Sequence, residues 1–223
     1  MKKTILFFLS FLFLTNIVLA QEFDLLAEKV IKKDFQGIDD LLSQGININV
    51  QQKNGGATVL MVASSYYGYE DCVEYLISKG ADVNLKDNIG KTALIWAASN
   101  SFENAKVLIT HGAKVNDSAN DGMTPFLQAA FGVISGKVPI TLCELLLENG
   151  ANINSALTGR NAAGWTALHY AAVDGDTEFV KYLISNGANI NKATAEGSTA
   201  LYLAKMGNYT ELVDILKKAG AKD

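Results

Sequence analysis

Histidine and cysteine are scarce in this 223-residue chain, with two of each. His111 and His169 stand far apart, and neither has a cysteine or carboxylate at metal-ligand spacing. No Ser/His/Asp arrangement, glycine-rich phosphate loop or His-Glu-x-x-His motif is present. Lys and Arg form no cluster, which excludes nucleic acid and anionic lipid as partners of choice. Beyond residue 20 no apolar run is long enough to span a bilayer. What remains is 49% hydrophobic and 19% charged, the balance of a globular protein. The length suits one ordinary domain or one repeat array.

The first twenty residues read differently. Lys2 and Lys3 precede an apolar run from Ile5 to Leu19, and Val18 and Ala20 fit a small-residue cleavage site. This pattern predicts a secretory signal peptide over 1–20, cut after Ala20. The run is short for a membrane anchor and is broken by Asn16. Gln21, not Cys, follows the cut, so no lipid is expected there. The leader looks bacterial, which places the mature chain in the periplasm or outside the cell. A eukaryotic secreted origin stays open. The leader holds two of the 19 basic residues and no acid, leaving 17 basic against 23 acidic and a net charge of −6.

The mature part repeats. Thr-x-Leu/Phe-x-x-Ala occurs five times, at Thr58, Thr92, Thr124, Thr166 and Thr199. Gly-Ala-x-x-Asn, or a near form, starts at Gly45, Gly80, Gly112, Gly150, Gly187 and Gly220, with spacings of 35, 32, 38, 37 and 33. A period near 33 is a solenoid signature. Each period predicts two helices. The Thr hydroxyl, that of Thr166 included, caps the first, and Pro125 sits at a first helical position. The Ala is small because a neighbouring helix must lie close. Phe179, Val180, Leu183 and Ile184 give the apolar stripe of a second helix, which Gly187 ends in a left-handed turn. The ends, rich in Lys (Lys29, Lys32, Lys33; Lys217, Lys218, Lys222), read as polar caps.

AAGWTALHYAAVDGDTEFVKYLISNGANIN, residues 162–191, carries both motifs in full. On these residues the chain resembles the ankyrin-repeat family, over about Asp24 to Lys222. The resemblance implies an all-α repeat solenoid, an array of stacked helix-turn-helix units with hairpin loops. Its repeats would fall at about 21–50, 51–84, 85–118, 119–154, 155–191 and 192–223. It also implies a protein partner bound along a concave face of hairpin tips and first helices. Carried onto this chain, that face holds Asn54, Ala57, Tyr66, Tyr67, Asn88, Lys91, Asn100, Asp121, Met123, Phe131, Trp165, Asp174 and Met206. The aromatics Tyr66, Tyr67, Phe131 and Trp165 are candidate anchors, or else pack against the next repeat. An extra residue near SSYYGYE leaves the choice between Tyr66 and Tyr67 open.

In this family a histidine at the place of His169 hydrogen-bonds backbone in the next unit. Met61, Ile95, Leu127 and Tyr202 stand at the equivalent places, so the imidazole is not required throughout. His111 is expected as an exposed residue at a helix C-terminus. Cys72 and Cys143 fall on second helices two layers apart, about 20 Å at roughly 10 Å per layer. A disulfide needs Cα atoms within about 7 Å, so both are expected as buried free thiols. Two insertions break the period, at about 133–139 between two helices and at 155–161 in a hairpin. Such loops serve binding or reflect drift in a tolerant place.

The function expected is a monomeric, exported protein-binding module without cofactor or metal. It would be a periplasmic scaffold or accessory protein, or alternatively an effector that binds a host protein. An enzyme on this fold would have to rely on His169 or Asp174.

Overall fold

The computed structural model describes residues 21–222. The predicted signal peptide lies outside them. Among the described residues twelve helices follow one another, and the only β pairing is an isolated bridge between Ala193 and Thr199. The chain forms two compact units. The first runs up to Ala97 and takes in Glu103–Ala113; the second holds Ala98–Phe102 and everything from Lys114.

In the first unit α1 (21–31) is followed by α2 (Phe35–Ser43), α3 (Val59–Ser64), α4 (Glu70–Ser78), α5 (Ala93–Ala97) and α6 (Phe102–Thr110). The second unit holds α7 (Pro125–Ile134), α8 (Thr141–Glu148), α9 (Ala167–Asp174), α10 (Thr177–Ser185), α11 (Ala200–Met206) and α12 (Thr210–Lys218). Odd-numbered helices pack on odd ones, α3 on α5 and α9 on both α7 and α11. Their contact residues are small: Ala63 and Ala97 in the first unit, and Ala129, Ala171 and Ala204 in the second, are fully buried.

The helix boundaries follow from the repeated residues. Thr58, Thr124 and Thr199 hold extended backbone, and each hydroxyl accepts the amide hydrogen bond of the third helical residue. Pro125 opens α7 where an amide would have had no helical partner. Asp34 and Asp176 cap α2 and α10 in the same way.

The second helices end at the glycines of the second motif, whose φ angles lie between +82° and +98°. The amide of the residue after the glycine then bonds back to a leucine carbonyl, as Ala188 N does to Leu183 O at 3.0 Å. This six-to-one bond is what a left-handed residue at that place permits. The same bond closes α4, α6, α8 and α12.

The Asn of the motif has a role that the spacing did not reveal. The Asn116 amide donates to Gly150 O at 2.8 Å, and its oxygen accepts from Asn152 N at 2.8 Å. Asn154 treats Gly187 and Asn189 alike, and Asn191 treats Gly220 and Lys222 alike. In the first unit Asn49 does so with Gly80 and Asp82. Each asparagine therefore clamps its own repeat to the helix end of the next.

Candidate functional site

The hairpins that precede the odd helices stack through backbone. Asn88 N donates to Gly55 O, Thr158 N to Asp121 O and Ala195 N to Ala163 O, at 2.7–2.9 Å. Gly164 shows how close they come. Its φ is +83°, and a Cβ there would lie 2.9 Å from the Thr194 backbone. A glycine is needed for both reasons.

Within the first unit, Asn54 and Asn88 are exposed and Lys91 is half-buried. Ala57, expected on the same face, is buried instead, because the hairpin folds it inward beside Thr58. Tyr66 stacks at a tilt on Tyr69, with ring centroids 5.1 Å apart, while Tyr67 is 84% exposed. Of the two, Tyr67 projects and Tyr66 is partly held. Asn104 is buried and donates to Ser64 O and Tyr66 O, which pins this turn. The carboxylate of Asp87 accepts from Ile89 N, Lys91 N and the Trp96 indole at 2.8–3.2 Å. It locks the hairpin to α5. Neither Asn104 nor Asp87 carried a sequence signal, since no other repeat has them.

Asn100 is exposed. In the second unit Asp121 and Asp174 are exposed, Met206 is 66% exposed, and Met123, Phe131 and Trp165 are half-buried. Phe131 of α7 and Trp165 both meet Tyr170 of α9, at centroid distances of 4.3 and 4.8 Å. The rings are inclined at 69° and 44°, so each presents a different face or edge. Tyr170 was absent from the expected face. It is half-buried, and it is the ring that joins the other two. Val173 and Asp174, three and four residues on, share its side of α9.

Both insertions are ordered parts of this unit. The first lengthens α7 to ten residues, so Val133 and Ile134 are helical rather than loop. The remainder folds back: Lys137 N and Val138 N donate to Gly132 O, and Val138 is buried. The second insertion docks through Thr158 N and Gly159 N, both donating to Asp121 O.

His169 is 1% exposed. Its Nδ1 lies 3.1 Å from Thr166 N and 2.8 Å from the Thr166 hydroxyl, and its Nε2 lies 3.0 Å from Lys192 O. The Thr166 N–H must donate to Nδ1, which fixes the proton on Nε2. The Thr166 hydroxyl meets the imidazole as well, so threonine and histidine together form a capping box at the start of α9. Met61 fills this place in the first unit, with its sulfur 3.4 Å from Thr58 N. Burial lowers the His169 pKa. Both ring nitrogens serve the fold, so the imidazole has no free atom for a substrate. His111 is exposed, 2.8 Å from Glu74. Cys72 and Cys143 are buried free thiols whose pKa values burial pushes up to about 11 and about 12. Among the described residues no group of three His, Cys, Asp or Glu side chains could hold a metal ion.

The model of a known family matches this chain: ankyrin repeats (3 copies), over residues 26–119, 85–156 and 133–223. The chain is 31% identical over 169 residues to human neurogenic locus notch homolog protein 1, and 30% over 168 residues to the Mus musculus protein. These alignments cover 75% and 74% of this chain but 6% of each relative. It is also 31% identical over 187 residues to palmitoyltransferase AKR1 of Lachancea kluyveri, covering 81% of this chain and 24% of that protein. The repeated Thr caps, the glycine helix ends and the asparagine clamps thus have a common source: the chain belongs to the ankyrin-repeat family.

Proposed function

We propose that this chain is an exported protein-binding module whose partner seats on the aromatic surface of the second unit. The observation that carries this reading is the Phe131–Tyr170–Trp165 cluster, whose members remain half-buried although each is a large ring. Exposed Val173 and Met206 extend apolar surface along the same repeats. Aromatic side chains on rigid elements are the usual anchors of an interface. Ankyrin repeats are generic protein-interaction modules, which supports a protein as the ligand. The mature domain spans 21–223 as six repeats, acts as a monomer and needs no cofactor or metal. We assign it no catalysis, because the two histidines and two cysteines are all committed to the fold or to one surface pair.

The signal-like residues 1–20 support a periplasmic scaffold or accessory protein. A secreted effector with a host partner is the second reading, and the same leader favours it equally. Fractionating periplasm from medium separates the two.

The test is affinity capture from an envelope extract, with a Trp165→Ala, Phe131→Ala double variant as control. A protein held by the native chain and lost from the variant supports the aromatic surface. Equal capture by both would move the site to the ordered insertions or to another face.

A further inference from the structure

We propose that the partner segment on this surface pairs a cationic side chain with a large apolar one. The inference rests on the protein-binding reading above and adds the chemistry of what is bound. Three inclined rings meet at Tyr170. The faces of Trp and Tyr attract a guanidinium or ammonium group, and their edges take an aliphatic side chain.

The charge beside them has the matching sign. Asp174 lies one helical turn from Tyr170 on α9 and is exposed, and its carboxylate makes no hydrogen bond or ion pair among the described residues. It sits in the last turn of α9, just before the left-handed Gly175. The helix dipole disfavours a carboxylate there. The fold therefore gains nothing from Asp174, whereas a bound cation would. Asp121, in the hairpin before α7, is likewise exposed and takes only the Met123 amide on its carboxylate. Val173, beside Asp174, offers the apolar contact. Arg160 stands five residues before Trp165; it is exposed in the 155–161 insertion, and its guanidinium has no partner among the described residues. Charge complementarity thus selects a basic, apolar segment over an acidic one.

The test uses protein purified after expression of the whole chain, in near-physiological salt. Fluorescence anisotropy follows three short labelled peptides, alternating Arg with Leu, Glu with Leu and Arg with Ser. The Arg–Leu peptide is expected to bind at least about tenfold tighter than the other two. Tyr170→Ala should cost about tenfold, and Asp174→Asn about threefold without lowering the melting temperature. Asp214→Asn, an exposed acid on α12, should change nothing, and Arg160→Gln should leave binding equal or tighter. Should Tyr170→Ala fail to fold, Asp174→Asn against Asp214→Asn decides alone. Equal binding of the Glu–Leu peptide overturns the proposal, and so does an equal loss from both Asp variants, which would mean diffuse attraction. If no peptide binds yet the captured partner is still lost from the double variant, this proposal falls and the protein-binding reading stands. If capture fails as well, both fall.

Discussion

His169 shows how far a single residue can be read from sequence. The neighbouring Thr166, Leu168 and Ala171 placed it in a repeated column, and the column implied a structural role. What the column could not show is that Nδ1, rather than the threonine hydroxyl alone, closes the start of α9. Nor could it show that Met61 stands in for it in the first unit. The geometry has a pH consequence. Burial lowers the His169 pKa in the folded state, so the fold resists its protonation. The stability it contributes is fully present above the ordinary histidine pKa of about 6.5 and is lost as pH falls below it. Chemical unfolding at about pH 7.5 and about pH 5.5 should show lower stability at the acid value. The carboxylates of Asp34, Asp39 and Asp71 do not compete in that window, because their lysine partners hold them below the usual carboxylate range. His169→Leu should flatten the pH slope and cost roughly 1–3 kcal/mol at neutral pH through the orphaned Thr166 and Lys192 groups. A slope that survives this substitution would assign the effect to another group.

At the scale of the element, the two repeated motifs located the helices because each carries its own start and stop. Thr caps and glycine ends are local chemistry, legible residue by residue. The 133–139 insertion is only in part a loop because Val133 and Ile134 simply continue α7, and a helix extension looks like a loop when only spacing is counted. Tyr170 was missed because its column holds Val62, Trp96, Gln128 and Leu203 elsewhere, with no shared type to mark a surface. The hairpin stack also makes unequal demands on its glycines. Gly164 and Gly187 both have φ above +80°, but a Cβ meets backbone only at Gly164. Gly187→Ala should cost about 1–2 kcal/mol for the left-handed conformation alone. Gly164→Ala should cost clearly more, since the hairpin of the next repeat must also move. Thermal melts of the two variants rank them, and a milder loss at Gly164 would contradict the stacking account.

For the whole molecule, stability comes from neighbouring repeats rather than from cross-links. Among the described residues there is neither a disulfide nor a metal cluster. Melting curves with reductant or chelator should therefore overlay those without. A thiol reagent at mildly alkaline pH should label Cys72 and Cys143 only after unfolding, because burial holds both as neutral thiols. Fast labelling of the native protein would refute that burial. The joints between repeats carry one more implication. Each asparagine grips a glycine carbonyl and the amide two residues beyond it, and these are main-chain groups that any repeat ending in the same turn supplies. The coupling is thus blind to the identity of the side chains around it. A repeat could be duplicated, excised or exchanged with a sibling and meet the same socket on either side. Such a chain can lengthen or renew its binding surface by whole modules, leaving its joints unedited while the exposed rings and charges change freely.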